Sequence, residues 1–454
     1  MLGKAFDILK VPDLRKKVLW TLALLFVYRL GNHILLPGAN PDAFQRAIQG
    51  SGGWTSVLNT LSGGAIGSAT VFSLGVMPYI SASIVFSLLA KMVPALEQVA
   101  KEGAAGQKKI NQWTRWATVP ICLFQAYFVV SSTLARDAQH SAHPVIDAAK
   151  FTFFYELMLV LVLTAGTLMI MWLGEKISEL GVGQGTSLII MAGIVARLPT
   201  MLGHVATANA AENLGSQAWI QPLAELIVLY ILITAGIVFV TRAQRRIPIQ
   251  QGRQMRGRRV YGGQRHYLPL KLNQAGVMPI IFASFLFIVP TVLDKVFHSA
   301  FFQTAFRWGG FWYILFYSAL VFVFSFFWTS LMFQPKEIAD NLKEYGGFVP
   351  GLRPGARTAE YLEHVMFRVT LAGAVFLVII AVLPQVQASY VPNMPTEMAV
   401  FLGGTSILIV VGVVLDLVDK VNSMLVMRRY EGLGGGGGTG WARSSASTAA
   451  KAAE

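Results

Sequence analysis

Charged residues are scarce in this chain. They make up 13% of its 454 residues, about half of the ~25% that is usual in a soluble globular protein. So little charge excludes a disordered chain, a coiled coil and an ordinary cytosolic enzyme. Cysteine is nearly absent as well, because Cys122 is the only one. A single cysteine cannot form an internal disulfide, and no Cys/His cluster has the spacing of a structural zinc site.

Apolar residues, by contrast, are abundant. Hydrophobic types make up 54% of the chain, and the mean hydropathy is +0.55. These values predict an all-α polytopic membrane protein built from spans of ~20 residues. Ten apolar runs are long enough, and they lie at about 18–36, 76–93, 113–134, 151–173, 186–203, 219–241, 272–293, 309–333, 368–388 and 399–418.

The distribution of Lys and Arg predicts the orientation of these spans. Of the 37 basic residues, 30 lie in or beside the segments that ten alternating spans place on one side, together with both termini. Six lie on the other side, and Arg29 lies within the first run. Because Lys and Arg accumulate in cytoplasmic loops, we expect both termini in the cytoplasm. The same rule explains a net charge of +14, which in a soluble protein would suggest nucleic-acid binding.

Five of the runs precede residue 210 and five follow it. A half with an odd number of spans ends on the opposite side from its start, so two related halves would be inverted, with a site or passage between them. We expect a cytoplasmic N-terminus at 1–17, an N-terminal half at 18–210 and a C-terminal half at 211–418. A cytoplasmic tail at 419–454 follows, disordered after about residue 433 because it is rich in glycine.

Residues with catalytic or ion-coupling chemistry are sparse. The carboxylates Glu156, Glu225 and Asp416 lie near span ends, which argues against an ion-coupled transporter. His140 and His143 have no third ligand nearby for a metal ion. No nucleophile lies beside a base in a recognisable motif. The sequence therefore predicts neither an enzyme nor a cofactor.

Two segments outside the apolar runs have an unusual composition, the loop at 242–271 and the stretch at 58–74. The cytoplasmic loop at 242–271 holds nine basic and no acidic residues, whereas the loop at 333–367 is mixed in charge. Orientation is one interpretation of the basic loop, and contact with anionic lipid is a second. The stretch 58–74 is small, glycine-rich and uncharged. It is either an interfacial loop or a half-helix that enters the membrane inside a protein-lined cavity.

Five long motifs in this sequence resemble those of the SecY family, the channels of the bacterial protein translocase. They are LSGGAIGSATVFSLGVMPYISASIV at 61–85, ELGVGQGTSLIIMAGIVARLP at 179–199, the series RRIPIQ, RRVYGGQ and LPLKLNQAGVMPIIFAS within 245–284, NLKEYGGFVPGLRPGARTAEYL at 341–362, and FLGGTSILIVVGVVLD at 401–416. The resemblance covers about residues 10–433 in collinear order. It implies ten transmembrane helices in two inverted halves of five, with a re-entrant plug half-helix.

The resemblance also implies a ring of apolar side chains that narrows the pore at the membrane midplane. The matching positions here are Val76, Ile80, Thr186, Ile190, Ile281 and Ile409. Branched aliphatic side chains offer no hydrogen bonds to a passing chain, and they keep water and ions out by dewetting. Thr186 departs from the usual aliphatic residue. Without the family match, ordinary helix packing would explain all six positions.

A plug and a lateral gate follow from the same resemblance. The plug corresponds to 61–74, with its centre at Gly63, Gly64, Ala65, Ile66, Gly67 and Ser68. The gate lies between the second and third helices on one side and the seventh and eighth on the other, and a signal peptide or membrane span leaves there into lipid. Its polar positions are Ser81, Ser87 and Asn273, and Ser87 stands where the family often has glutamine. Cys122 lies near the gate by this assignment, and we expect it to have a packing role.

The partners that the resemblance implies are the SecE and SecG subunits, the SecA motor ATPase, the ribosome, signal peptides, nascent membrane spans and lipid. It also gives the basic loop 242–271 a third interpretation, as a docking site for ribosomal RNA and SecA. The residues most strongly indicated for these contacts are Arg246, Arg258, Arg259 and Arg353. The implied function is a passive protein-conducting channel of the bacterial inner membrane, less often of plastids. The alternative from the residues alone is an inverted-repeat secondary transporter.

Overall fold

The computed structural model describes residues 12–40, 69–131, 152–212, 220–251, 254–256, 259–261, 265–286, 310–390 and 403–435. Within these ranges the chain is mainly helical. In chain order the helices are α1 (Pro12–Gly31), α2 (Met77–Met92), α3 (Pro94–Lys101), α4 (Ala104–Val129), α5 (Phe153–Leu180), α6 (Gly185–Glu212), α7 (Ile220–Arg242), α8 (Met278–Leu286), α9 (Phe311–Met332), α10 (Pro335–Glu344), α11 (Ala356–Tyr390) and α12 (Gly404–Gly435).

Each of the ten predicted apolar runs overlaps one of these helices, so a mainly helical fold is confirmed. Among the described residues, three helical stretches are long and apolar enough to cross a membrane: Phe153–Leu180, Phe311–Glu344 and Ala356–Leu383. The bent pair α2 and α3 passes the same test if it is counted as one span. The number ten therefore stays a prediction for the complete chain.

A sharp bend separates α2 from α3. Val93 has an extended backbone, with φ −101° and ψ 114°, and Pro94 opens α3. Proline disfavours a helical conformation in the residue before it, so α2 has to end here. The axes of the two helices differ by 100°. As a result α3 runs nearly perpendicular to α2, and Glu97 and Lys101 lie to one side of the α2 axis.

The loops are not purely irregular, and this corrects the prediction of an all-α protein. Strands β1 (Gln244–Gln251) and β4 (Arg265–Lys271) pair antiparallel, and β5 (Gly347–Phe348) joins the free edge of β1. Strands β2 (Gln254–Arg256) and β3 (Arg259–Tyr261) form a separate hairpin. The sheet joins the two loops 242–271 and 333–367, which the sequence analysis treated as independent.

Alternation of buried and exposed residues explains strand β1, which the search for long apolar runs did not predict. Ile247 and Ile249 are buried, whereas Arg246 and Pro248, the residues that precede each of them, are exposed. A period of two is the signature of a strand with one face on a core. Ile247 packs with Leu270 of β4 and with residues at the start of α11, including Leu362. The sheet is therefore fixed to the transmembrane part by its own small core.

Helix α5 forms the most deeply buried support in the N-terminal half. Leu159, Leu163, Ile170 and Ile177 are fully buried, and their spacing of four or seven residues places them on one face of the helix. Gly166 lies on the same face, where a Cβ would come 2.1 Å from the carbonyl oxygen of Val71. The absence of a side chain at this position lets the last residues of the predicted plug, 61–74, pack directly against α5.

Candidate functional site

An apolar cluster lies where the two halves of the chain meet. Val76, Ile190 and Ile409 are buried in it, and Ile80 and Ile281 pack against it with more exposure. They come from the start of α2, from α6, from α8 and from α12, so both halves contribute. None of these side chains has a hydrogen-bonding atom, so the cluster excludes ions and water and binds neither. Five of the six positions assigned to the ring are therefore neighbours in one cluster.

The sixth position, Thr186, has a different environment. It lies one helical turn before Ile190 on α6 and is buried. Its methyl carbon faces α5, because a Cβ on Gly174 would lie 3.1 Å from Thr186 Cγ2. The adjacent Gly185 approaches the same point, and a Cβ there would lie 1.8 Å from the carbonyl oxygen of Gly174. The structure thus places Thr186 in the close contact between α5 and α6.

The glycine-rich stretch assigned to the plug is described only at its end. Residues 61–68, which include Gly63, Gly64, Ala65, Ile66, Gly67 and Ser68, lie outside the described residues. Residues 69–74 form turns rather than a helix, and Ala69 has a positive φ of 48°. Few non-glycine residues adopt such a backbone, and fixed surroundings are needed to hold it there.

Backbone hydrogen bonds supply these fixed surroundings. The Leu36 amide donates to the Ala69 carbonyl at 2.9 Å, and the Val71 amide donates to the Ile34 carbonyl at 2.9 Å. This pairing also explains why α1 ends at Gly31, although the apolar run continues to residue 36. The Ser73 hydroxyl donates to the Thr70 carbonyl at 2.6 Å and accepts from the Thr70 amide at 2.9 Å. We call residues 69–75 the anchor segment.

A side chain of the anchor segment fits a notch in α1. The ring of Phe72 stacks on that of Tyr28, with centroids 6.1 Å apart and planes 6° apart. It also lies over Gly31, where a Cβ would come 2.0 Å from Phe72 Cε2. The sequence analysis did not identify this anchor. Its available signals were a glycine at the end of an apolar run and a phenylalanine in a small-residue stretch.

Helices α2 and α8 face each other at the position assigned to the lateral gate. Ile84 of α2 and Phe282 of α8 belong to one buried cluster, with Ala275 before α8 and Trp328 of α9. The Phe282 ring lies 5.5 Å from the Trp328 ring between centroids. This contact surface is apolar, so it gains little from hydrogen bonding and can be replaced by lipid or by an apolar peptide at small cost.

The three polar residues assigned to the gate differ in their surroundings. Ser81 is buried and donates to the Met77 carbonyl at 2.9 Å, whereas Ser87 is exposed and donates to the Ser83 carbonyl at 2.7 Å. Both bonds stay within α2. Asn273 is buried and its Nδ2 donates to the Gly276 carbonyl at 3.2 Å. Cys122 is fully buried in an apolar cluster with Ala126, which is the packing role expected for it.

Charged residues form a further contact beside this interface, between α3 and α10. Lys101 of α3 forms an ion pair with Glu97 at 2.8 Å and a longer one with Glu337 of α10 at 3.9 Å. The hydrogen bond from Lys101 lowers the pKa of the Glu97 carboxyl. Both carboxylates are solvent-exposed, so each pair stabilises this arrangement of α3 and α10 only weakly.

The arginines assigned to partner contacts lie on or beside the small sheet. Arg246 is exposed on β1, and Arg353 is exposed in the turn that follows β5. The Thr358 hydroxyl donates to the Arg353 carbonyl at 3.0 Å, and Gly351 and Gly355 on either side have positive φ angles. Arg259 begins β3, and Arg258 lies outside the described residues. The pairing of β1 with β5 thus brings the basic loop 242–271 and the turn that holds Arg353 into one unit.

Metal chemistry gains no support from the described part of the chain. No group of three or more His, Cys, Asp or Glu side chains there is placed to hold a metal ion. His140 and His143 lie outside that part. Asp416 of α12 is exposed and pairs with Lys420 at 3.5 Å, one turn further along the same helix.

Solved structures share this fold. The chain superposes on a protein-conducting channel with a TM-score of 0.57 at 15% sequence identity, over 90% of this chain and 92% of that one. It superposes on Sec61 from the canine ribosome-channel complex of the endoplasmic reticulum with a TM-score of 0.55, also at 15% identity, over 90% and 92% of the two chains. The fold is therefore the one found in protein-conducting channels of membranes.

The sequence comparison identifies the family within this class. The SecY family model matches residues 70–418. The protein translocase subunit SecY of Thermotoga maritima is 42% identical over 431 residues, which cover 93% of this chain and 95% of the relative. That of Corynebacterium glutamicum is 40% identical, over 93% and 98% of the two chains. The chain belongs to the SecY family, whose members are protein-translocation channels and not enzymes.

Proposed function

We propose that this chain is the protein-conducting subunit of a translocase in the bacterial inner membrane. It lets secretory preproteins cross the membrane and releases membrane spans laterally into lipid. The pore itself is passive, and SecA hydrolysing ATP or the translating ribosome supplies the driving force. SecE and SecG complete the complex, and both termini of the chain lie in the cytoplasm. Family membership supports the channel, and the following observations support its details.

The apolar cluster of Val76, Ile80, Ile190, Ile281 and Ile409 carries the proposal. Aliphatic side chains that meet from four helices form a seal that an ion crosses only by losing its hydration shell. The same side chains deform around an extended polypeptide without competing for its hydrogen bonds. Because Ile281 and Ile409 belong to the second half and the others to the first, separation of the halves opens the seal.

The anchor segment and the gate contact add to this mechanism. Residues 69–75 are tied to α1 and α5, so a plug formed by the preceding residues moves about a fixed end. The contact of α2 with α8 is apolar and continuous with the seal through Ile80 and Ile281. Two inverted halves of five spans, hinged away from this contact, would open the pore and the path to lipid in one movement.

An inverted-repeat secondary transporter is the alternative class. Such a protein needs a substrate or ion site at the membrane midplane, built from polar groups or broken helices. The described midplane cluster here is aliphatic, and Asp416 is exposed and paired with Lys420. The family of the chain also favours a channel.

Co-purification and motor activation test the proposal. The full chain is co-expressed with SecE, purified and reconstituted in vesicles, and SecA ATPase is measured with and without a preprotein. We expect SecE to co-purify and the preprotein to stimulate the ATPase only in vesicles that contain the chain. Vesicles without the chain are the control. A chain that binds no SecE and leaves the ATPase unchanged would not be a translocase subunit.

A further inference from the structure

A cavity of about 500 Å³ lies away from the pore, between α9, α10 and α11. Its apolar walls include Phe326, Phe333, Met366 and Phe367. The rings of Phe326 and Phe367 lie 5.3 Å apart between centroids, and Phe367 is 58% exposed. The volume is in the range of cavities that hold a small molecule or part of a lipid. Nothing in the proposed translocation mechanism uses this cavity.

The cavity lies at the level where both transmembrane helices change from apolar to polar. Helix α9 is apolar to Met332, and the chain then reads Gln334, Pro335, Lys336 and Glu337. Helix α11 is rich in polar residues over 357–364 and mainly apolar over 365–383, where Arg368 is the only charged residue. Such a change marks the boundary between hydrocarbon and lipid headgroups. The apolar wall of the cavity therefore faces acyl chains, and its charged rim faces headgroups.

The rim carries both signs of charge. Lys336 supplies one cation, and Glu337 and Glu363 supply two carboxylates. Glu337 already lies 3.9 Å from Lys101. Within the part of the chain that the structure describes, Lys336 and Glu363 form no ion pair with another side chain. One cation and one carboxylate are thus available to a ligand at the edge of an apolar wall.

We propose that this cavity binds a phospholipid with an ethanolamine headgroup. Lys336 binds the phosphate, Glu363 accepts hydrogen bonds from the ammonium group, and an acyl chain packs against Phe326, Phe367 and Met366. An ammonium group has three N–H donors, so it bonds to a carboxylate, whereas the trimethylated choline group has none. Glu337 and Glu363 repel the net negative charge of a glycerol headgroup. The site therefore discriminates among lipids by charge and by hydrogen-bond donors.

Photolabelling tests this site directly. The full chain, purified with its co-expressed partner subunits, is reconstituted in vesicles that contain a phosphatidylethanolamine with a photoreactive acyl chain. Parallel samples contain phosphatidylcholine or phosphatidylglycerol analogues with the same reactive chain. The label on the peptide that holds Met366 and Phe367 is measured by mass spectrometry. We expect at least threefold more label from the ethanolamine lipid than from either analogue.

Two variants make the test specific. Glu363→Gln should remove the preference for ethanolamine, because the amide carries no charge to hold the ammonium group. Glu360→Gln changes an exposed carboxylate one turn earlier on α11 that does not line the cavity, and it should keep the preference. Equal labelling by the three lipids would mean bulk lipid only and overturn the proposal. A crosslink from this peptide to a partner subunit would overturn it too. Labelling requires no transport, so either result leaves the proposed channel function unaffected.

Discussion

The ring of Phe72 fills the space that a side chain on Gly31 would need, because a Cβ at that position would lie 2.0 Å from Phe72 Cε2. This contact fixes the anchor segment, which contains the last residues of the predicted plug, to α1. A plug that has to leave and return requires such a fixed end, since its closed position is otherwise not defined. The closed position of the proposed plug therefore depends on the packing of Phe72 against Gly31.

Replacement of Gly31 by alanine tests this packing. The added methyl group must displace Phe72, and overpacking of a well-packed site costs about 1–3 kcal/mol. We expect Gly31→Ala to lower the melting temperature of the purified protein and to raise the resting ion conductance. Gly236→Ala is the matched control, because that helical glycine has no atom within 4 Å of its ideal Cβ. If both variants behave like the wild type, Phe72 does not hold the anchor segment.

The apolar seal gives a second prediction, for the conductance of the resting channel. Ile190→Asn places an amide in the cluster with Val76 and Ile409, and a polar group there lets water and ions in. We expect a resting ion conductance clearly above that of the wild type in a planar lipid bilayer. Ile190→Leu keeps the volume and the apolar character, so it should stay closed. A silent Ile190→Asn channel would remove Ile190 from the seal.

The helices and most of the residues of the apolar seal could be predicted from the sequence, for a physical reason. Long apolar runs have few folded solutions, and the collinear motifs place Ile80, Ile190 and Ile409 on separate helices. Sequence reasoning did not predict the sheet, because Arg and Gln flank the two isoleucines of β1 and Pro248 separates them, so that the segment resembles a basic loop. Nor did it find the contact of Phe72 with Gly31, since close packing of residues distant in sequence leaves no periodic signal.

The turn that contains Arg353 gives a third prediction. Its guanidinium is exposed and its backbone is held by Thr358, so a charge reversal should change contacts with a partner and leave the fold intact. We expect Arg353→Glu to insert into the membrane normally and to reduce SecA-driven preprotein transport several-fold. Arg357→Glu reverses an exposed charge four residues later and serves as the control. Equal transport by the two variants would place the SecA contact elsewhere.

Loop 242–271 gives a fourth prediction, about ribosome binding. Suppose that Arg258 and Arg259 contact RNA phosphates. Their joint replacement by glutamine should then make the negative slope of log affinity against log salt shallower, by about 0.7–0.9 per lost contact. Titration of ribosome binding at several salt concentrations measures this slope. Lys343→Gln is the control, because it also removes a positive charge but lies on α10, outside the loop. An unchanged affinity and slope would favour the orientation or lipid interpretations of the basic loop.

The central claim is that α2 and α8 separate when the channel works, and one crosslink tests it most directly. Ile84 and Phe282 lie in one buried cluster. The test variant combines Ile84→Cys with Phe282→Cys, and Cys122→Ser removes the native thiol. A disulfide requires Cα atoms within about 7 Å, so oxidation should join the pair only if the helices face each other. We predict that the oxidised channel transports no preprotein and that a reducing agent restores transport. A disulfide that forms completely and leaves transport unimpaired would contradict the account.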